Sequence, residues 1–229
     1  MTRIKSRADN STFRSGSGLG LGAWLLSGIL IAGAAVGVSF VDVGSRDWVQ
    51  KIGMRGDIER VIKLMEIFAH GTGLFVTGAL IWTLAPSYRK NLPRLLAAYG
   101  LAGLVVNLIK LLIPRLRPSA GPETNLPETT LNWEYVSQSF PSGHSAAAVA
   151  LGLSLAILFP RGKWVFMTLA ALACLQRVVF DAHWPSDVLA GAAIGVWAVA
   201  MLYRTSWADR FFGRIESSQQ ESPETQTAD

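Results

Sequence analysis

A long uncharged apolar run near the amino terminus most limits what this chain can fold into. Residues 19–41 carry no ionisable side chain, and about 20 apolar residues are enough for one helix to cross a lipid bilayer. A helix in a soluble core would show polar residues on each turn. Half of the 229 residues are hydrophobic and only 16% are charged. Together these features indicate a membrane protein.

Five more apolar segments predict further crossings, at residues 64–84, 95–113, 145–159, 164–180 and 188–203. We therefore expect an all-α fold, a six-transmembrane-helix bundle that extends over residues 19–207. A signal peptide cleaved at Ala32-Gly33-Ala34 is an alternative for the first span. The apolar run continues well past Ala34, which favours a retained first helix.

The basic residues predict which side of the bundle faces the cytoplasm. The net charge is +5, but Lys and Arg are spread over short loops, so no nucleic-acid partner is expected. They gather before the first span and after the second, fourth and sixth, as in cytoplasmic loops. The loop at 42–63 is an exception, with a pattern typical of an interfacial helix. Residues 1–18 are thus predicted to be cytoplasmic, and polar residues 208–229 to be a disordered cytoplasmic tail.

Polar side chains gather in three segments at the ends of predicted spans, where ionisable residues are costly and usually functional. The first is KLLIPRLRP at 110–118, in which Pro114 should end the third helix. The second is FPSGHSAAA at 140–148, and the third is QRVVFDAHWPSD at 176–187. In a six-span chain all three meet on the extracytoplasmic membrane face, which we predict to hold the active site.

The residue types in these segments suit a phosphate group. Lys110, Arg117 and Arg177 supply three cations without an adjacent carboxylate to pair them, as a polyanion requires. Ser142 and Gly143 stand at the start of a helix, where unpaired backbone N–H groups favour an anion. The sequence therefore predicts a phosphate site built from several distant segments.

Two histidines complete a catalytic set that needs no cofactor. Asp187, four residues after His183, is spaced to hold one ring nitrogen while the other acts as a nucleophile or base. Asp181 is a less favoured partner for the same ring. His144, from another segment, is suited to protonate a leaving oxygen. The segments hold too few carboxylates and histidines for a metal cage, so no metal site is predicted.

At these residues the chain resembles the type 2 phosphatidic acid phosphatase superfamily, lipid phosphate phosphatases related to bacterial acid phosphatases and vanadium haloperoxidases. The family pattern is K-x6-RP, then PSGH, then SR-x5-H-x3-D, and residues 110–187 match it at each spacing. Gln176 departs from the pattern, because it stands where the family has serine. Its amide can still donate to a phosphate oxygen, but the larger side chain changes the phosphate cradle.

The resemblance implies a phosphohistidine mechanism. His183 would be the nucleophile, Asp187 would orient it, and His144 would protonate the leaving alcohol. Water would then hydrolyse the phosphoenzyme, with His144 as the base. The phosphate would be held by Lys110, Arg117, Ser142, Gly143 and Arg177.

The function predicted from these features is that of an integral membrane lipid phosphate phosphatase, a phosphoric monoester or acid anhydride hydrolase. We expect it in a bacterial inner membrane with the site facing the periplasm or exterior, and no obligate protein partner is evident. Transfer of the phosphate to another lipid or sugar is an alternative, since both reactions share the phosphoenzyme. A non-catalytic anion-binding protein is a second alternative, but it would have no use for two histidines and a matched aspartate.

Two other groups of residues are open to two interpretations each. Glu66 and His70 fall on one side of a helix, either as contacts for a lipid headgroup or as a polar pair inside the bundle. Trp133 and Tyr135 either cover the site or, as we expect, anchor their loop at the membrane interface. Both pairs lie outside the three polar segments.

Two features of the later spans are assigned to packing. Gly191 and Gly195 form a G-x-x-x-G pattern in the sixth span, which favours close packing of that helix over dimerisation. The single cysteine, Cys174, lies inside the fifth span. We expect its thiol to fill space in the core.

Overall fold

The computed structural model describes residues 17–52, 56–120 and 137–221. These residues are mostly helical and form no strand, which confirms the all-α prediction for them. An isolated backbone bridge joins Arg115 and Gln138. The helices are α1 (Ser17–Phe40), α2 (Asp42–Ile52), α3 (Asp57–Leu64), α4 (Glu66–Ala69), α5 (Gly71–Leu84), α6 (Leu92–Leu112), α7 (Gly143–Leu158), α8 (Lys163–Val179), α9 (Pro185–Arg204) and α10 (Ser206–Glu221).

Helix α7 occupies the centre of the bundle, where it packs against α6, α8 and α9. Its buried side chains are small, and Ala146 and Ala150 are fully buried. A Cβ atom on Gly195 would lie 2.6 Å from the Ala146 carbonyl oxygen, and one on Gly191 would lie 2.2 Å from the Ser142 carbonyl oxygen. The G-x-x-x-G pattern therefore packs α9 directly on the backbone of α7, as predicted.

Of the described helices, three are long and apolar enough to cross a membrane: Pro86–Leu112, Pro160–Val179 and Pro185–Arg204. The number rises to four if the bent pair Asp57–Ala69 and Gly71–Leu84 counts as one span. Shorter apolar helices occur within α1 and as α7. Large apolar side chains cover the outside of the bundle, among them Leu25, Ile29, Phe75, Leu80, Leu104, Leu108, Trp164 and Val165. Such a surface suits contact with lipid.

The predicted second span, residues 64–84, is not one helix. Helix α4 ends one residue before His70, which is extended with φ −93° and ψ 161°, and α5 begins one residue after it. The helical segments before and after the break, Asp57–Ala69 and Gly71–Leu84, are bent by 69° relative to each other. Glycine permits the bend, because a Cβ atom on Gly73 would lie 2.3 Å from the carbonyl oxygen of Ile67. The break lets α4 pack against α7 and α8.

A helix occupies most of the segment that was predicted to be a disordered tail. Helix α10 buries Ala208 and Phe212 in an apolar cluster with residues of α6, α7 and α9. Arg94, only 2% exposed, donates a hydrogen bond to Asp209 at 2.8 Å. Residues 222–229 lie outside the described residues. The structure differs from the prediction because the apolar residues at the start of the segment bury one face of a helix.

Helix α1 packs along α9. The Ser27 hydroxyl donates to the carbonyl oxygen of Ala193 at 2.8 Å, and a Cβ atom on Gly37 would lie 3.3 Å from the Cβ of Ser186. The carboxyl end of α1 therefore lies beside the first turn of α9. Asp42, the first residue of α2, is buried there with 2% exposed.

Candidate active site

The first and second polar segments lie side by side between α6 and α7. Helix α6 ends two residues before Pro114, as predicted from that proline. The N–H of Arg115 donates to the carbonyl oxygen of Ser137 at 2.8 Å, and the N–H of Ser139 donates to the carbonyl oxygen of Arg115 at 2.9 Å. This backbone pairing fixes the residues before PSGH against those before Arg117.

Lys110 and Arg117 converge on one backbone oxygen. The Lys110 ammonium donates to the carbonyl oxygen of Gln138, and Nη2 of Arg117 lies 3.4 Å from the same oxygen. Nη1 of Arg117 donates to the carbonyl oxygen of Ala182 at 2.8 Å and lies 3.4 Å from Nε2 of His183. Two of the predicted phosphate-binding cations thus connect the first segment to the residues just before the second, and Arg117 also connects it to the third.

Ser142 caps α7 and joins it to the start of α9. Its hydroxyl oxygen accepts a hydrogen bond from the N–H of Ser145 at 3.3 Å and from the Ser145 hydroxyl at 2.9 Å, which is the bonding expected of an N-cap. Its own N–H donates to the carbonyl oxygen of Asp187 at 3.0 Å. A Cβ atom on Gly143 would meet only Val106, at 3.6 Å. Space at this position therefore does not require a glycine.

His183 is buried in the turn between α8 and α9, with 2% of the residue exposed. Its N–H donates to the carbonyl oxygen of Arg177 at 3.0 Å. Nε2 faces the Arg117 guanidinium, and Nδ1 lies 3.7 Å from Oδ2 of Asp187. The ring thus presents one nitrogen to a cation and the other to a carboxylate. The structure confirms that the three polar segments meet, and His183 lies at their junction.

Donors other than His183 fix the Asp187 carboxylate. The 3.7 Å distance from Nδ1 of His183 to Oδ2 of Asp187 is longer than a hydrogen bond. The carboxylate therefore faces the ring nitrogen, as predicted, but does not bond to it. Oδ1 accepts from Nη1 of Arg115 at 2.5 Å. Oδ2 accepts from the Ser139 hydroxyl at 2.5 Å and from the N–H of Trp184 at 3.0 Å. Asp187 is fully buried, and these bonds hold its carboxylate turned toward the imidazole.

The environment of His183 keeps its ring neutral at pH 7. Burial lowers the pKa of His183 to about 4, the charges of Arg117 and Lys110 act in the same direction, and Asp187 opposes them. An unperturbed histidine has a pKa of about 6.5. With the proton on Nδ1, beside Asp187, the lone pair is on Nε2, beside Arg117. This is the form that a nucleophilic histidine requires.

Arg177 has a carboxylate partner, so the prediction that the three cations lack one is wrong for this residue. Nη1 of Arg177 donates to Oε1 of Glu66 at 2.7 Å and to Oε1 of Gln176 at 3.2 Å. The same Glu66 oxygen lies 3.5 Å from Nε2 of His144. Glu66 is far away in the sequence, and the break between α4 and α5 brings it to this site.

His144 and His70 lie together beside this ion pair. His144 is the second residue of α7, and His70 occupies the break between α4 and α5. Their ring centroids are 6.1 Å apart, and the side chains of His144 and Glu66 are 30% and 42% exposed. Glu66 and His70, which were open to two interpretations, therefore lie next to the candidate acid, on the more exposed side of the site.

Four polar residues that shape this site have no role predicted from the sequence: Asp42, Arg115, Ser139 and Ser186. Arg115 stands inside the first polar segment, and Ser139 directly precedes the second, so closeness to the motifs was an available signal. The signal for Asp42 was weaker: it is the first charged residue after the apolar run of the first span. Trp133 and Tyr135 lie outside the described residues.

Comparisons with known proteins give the family of this chain. Residues 91–211 match the family model described as the PAP2 superfamily. A lipid A 1-phosphatase of Rhizobium etli is 39% identical over 97 residues, which is 42% of this chain and 42% of that protein. An undecaprenyl-diphosphatase of Bacillus subtilis is 32% identical over 110 residues, which is 47% of this chain and 54% of that protein. The chain thus spans about half the length of these curated relatives.

A solved structure has a similar fold. It is a transmembrane PAP2 type phosphatidylglycerolphosphate phosphatase from Bacillus subtilis, with a TM-score of 0.56 and 18% identity over 90% of this chain and 98% of that chain. At this identity the likeness concerns the fold. The helices of membrane-spanning length and the family match together indicate an all-α integral membrane protein. The chain belongs to the PAP2 superfamily.

Proposed function

We propose that this protein hydrolyses a phosphate or diphosphate group on a membrane lipid through a phosphohistidine intermediate. One observation carries the proposal: the buried His183 ring presents Nε2 to Arg117 and Nδ1 to the fixed carboxylate of Asp187. Cations around a nucleophile stabilise the charge on phosphoryl oxygens during transfer. Family membership and the lipid phosphatases among the relatives support the substrate class.

In the first step Nε2 of His183 attacks phosphorus, and the bond from phosphorus to the leaving oxygen breaks. His144 donates a proton to that oxygen, so the lipid leaves as an alcohol or, from a diphosphate, as a monophosphate. Asp187 stabilises the Nδ1–H of the phosphorylated ring. The oxygens of the transferred group are bound by Lys110, Arg117, Arg177 and the start of α7 at Ser142 and Gly143.

In the second step water attacks the phosphorus and the bond to Nε2 of His183 breaks. His144, deprotonated in the first step, accepts the proton from water. Inorganic phosphate leaves, and both histidines return to their starting states. A lipid or sugar hydroxyl in place of water would give the transferase reaction, which uses the same phosphoenzyme.

Phosphate release from defined lipids tests this function. Purified protein in detergent is given phosphatidic acid, phosphatidylglycerol phosphate, a polyprenyl diphosphate and a lipid A phosphate, and free phosphate is measured. We expect at least one lipid to be hydrolysed. A phosphorylated acceptor formed without free phosphate would indicate the transferase. Tight binding of these lipids without turnover would contradict the proposal in favour of an anion-binding protein.

Activity is expected to persist in excess EDTA and to be inhibited by vanadate. Within the described ranges no three His, Cys, Asp or Glu residues form a metal-binding group. The proposed mechanism uses the protein's own cations to stabilise the charge on the phosphoryl group. Vanadate adopts a five-coordinate geometry like that of phosphorus in an in-line transfer, with His183 as its axial ligand. A vanadate titration of wild type in EDTA measures this. Activity lost in EDTA and restored by Mg²⁺, with no effect of vanadate, would indicate a metal-dependent mechanism.

We propose that the chain crosses the membrane six times and that the active site faces the periplasm or exterior of a bacterial inner membrane. Residues 1–18 and 208–229 would then be cytoplasmic. The site lies where α6 and α8 end and α7 and α9 begin, whereas Arg89 and Arg161 lie in the 3-10 turns before α6 and α8. The excess of basic residues in cytoplasmic loops supports this orientation.

Thiol labelling tests the orientation. Ser119 lies in the turn after α6 and Ser87 in the turn before it, and both are exposed. Cys174 is first replaced by alanine, and Ser119→Cys and Ser87→Cys are made separately. An impermeant reagent that has crossed the outer membrane should label Ser119→Cys and leave Ser87→Cys unlabelled in intact cells. Both should react after lysis. The reverse labelling pattern in intact cells would invert the topology.

A further inference from the structure

Asp42 connects the first helix of the chain to the candidate active site. It is the first residue of α2 and is 2% exposed. Oδ1 accepts from the N–H of Ser186 at 3.1 Å, and Oδ2 accepts from the Ser186 hydroxyl at 2.6 Å. Ser186 is the second residue of α9, so a carboxylate from outside α9 caps its first turn. Asp42 lies outside the residues that match the family model.

Arg115 bridges Asp42 and Asp187 with separate nitrogens. Nη2 donates to Oδ2 of Asp42 at 2.5 Å, and Nη1 donates to Oδ1 of Asp187 at 2.5 Å. Nη1 also lies 2.6 Å from the Ser186 hydroxyl oxygen. Because a guanidinium is rigid and planar, binding one nitrogen to Asp42 fixes the direction in which the other can point. The position of Asp42 therefore limits how Arg115 can hold Asp187.

The choice of the oxygen on Asp187 matters for catalysis. Arg115 takes Oδ1, which leaves Oδ2 as the oxygen that faces Nδ1 of His183 at 3.7 Å. Without Asp42, the guanidinium could turn and bind both oxygens of Asp187, a geometry that arginine and carboxylate favour. Oδ2 would then be drawn away from the imidazole.

We propose that Asp42 is a positioning residue for the nucleophile: through Arg115 it keeps Oδ2 of Asp187 turned toward His183. The proposal rests on the proposed phosphohistidine function. Asp42 contacts neither the candidate nucleophile nor the phosphate-binding cations in the bonds described above. Its loss should therefore slow formation of the phosphoenzyme and leave substrate binding nearly unchanged.

Asp42→Asn tests this and keeps the shape of the side chain. We expect kcat and the single-turnover rate of phosphoenzyme formation to fall together, on the order of tenfold to a hundredfold, with KM changed by less than about twofold. The matched control is Asp47→Asn, which removes the same charge from an exposed site on α2. Its kcat and KM should equal those of wild type. If Asp42 only capped α9 and had no effect on catalysis, Asp42→Asn would lower the thermal midpoint and leave kcat unchanged.

A double variant tests whether Asp42 acts through Arg115. In an Arg115→Met background the bridge is already lost, so Asp42→Asn should add little to the fall in kcat. Should Asp42→Asn fail to fold, Arg115→Lys decides, because an ammonium keeps the charge but cannot bind both carboxylates in a fixed plane. It should lower kcat without raising KM.

The outcomes distinguish this proposal from the proposed function. The positioning role is overturned if Asp42→Asn or Arg115→Lys keeps wild-type kcat, or if the effects of Asp42 and Arg115 are additive. His183→Ala is measured in parallel. If it is inactive while Asp42→Asn behaves like Asp47→Asn, only the positioning role fails. If His183→Ala stays active, the proposed function fails and the positioning role fails with it.

Discussion

His183→Ala is expected to lower lipid phosphate hydrolysis by about 10³-fold or more, because the variant lacks the nucleophile. Wild type given labelled lipid phosphate should carry acid-labile phosphate during turnover, and the variant should carry none. The loss should appear in kcat, since the cations that bind phosphate remain. Rapid acid-free quenching followed by gel analysis measures the phosphoenzyme, and phosphate release measures turnover.

His144→Ala provides the contrasting variant. It keeps the nucleophile and lacks only the proton donor, so the phosphoenzyme should still form from substrates with good leaving groups. Turnover should fall most for poor leaving groups such as a lipid alcohol. Thermal midpoints of both variants verify folding. Substantial activity in folded His183→Ala would show that His183 is not the nucleophile.

The sequence predicted the residues of the site better than the contacts between them. Charges and histidines at the ends of apolar runs are visible from the order of polar and apolar residues, and the helix starts at Ser142 and Pro185 follow from local rules for caps and proline. Both starts are confirmed. Two of the three bonds that fix Asp187 come from Arg115 and Ser139, which are distant in the chain. Local patterns carry no information about such pairings, because tertiary packing decides them.

Glu66 shows how a break in a helix changes which residues it brings to the site. Helical spacing put Glu66 and His70 on one face of a continuous second span, but the helix breaks at His70. The pattern HGTG at residues 70–73 was a signal for the break, because glycine permits the close approach that Gly73 makes to Ile67. Hydropathy averaged over a span does not register it. In the structure Glu66 pairs with Arg177, so a phosphate bound there as proposed would have to displace a carboxylate.

Gly191→Ala is expected to remove most activity and to destabilise the protein by about 1–3 kcal/mol or more. The new Cβ atom would lie 2.2 Å from the carbonyl oxygen of Ser142 and 3.2 Å from the Cβ of Ser145. Neither atom can move freely, because Ser142 caps α7 and its N–H donates to the carbonyl oxygen of Asp187. Helix α9 must therefore shift away from α7. That shift separates Asp187 and His183 from the start of α7, where the phosphate is proposed to bind.

Gly100→Ala is the matched control for this change. Gly100 lies within α6 and is exposed, and a Cβ atom added there would meet no atom within 4 Å beyond its own helix backbone and its chain neighbours. Alanine there should be neutral or stabilise by about 0.5–1 kcal/mol, since glycine is the poorer helix former. Thermal midpoints in detergent and kcat are measured for both variants. Equal midpoints and equal kcat would contradict the claim that the contact between α9 and the PSGH turn holds the site together.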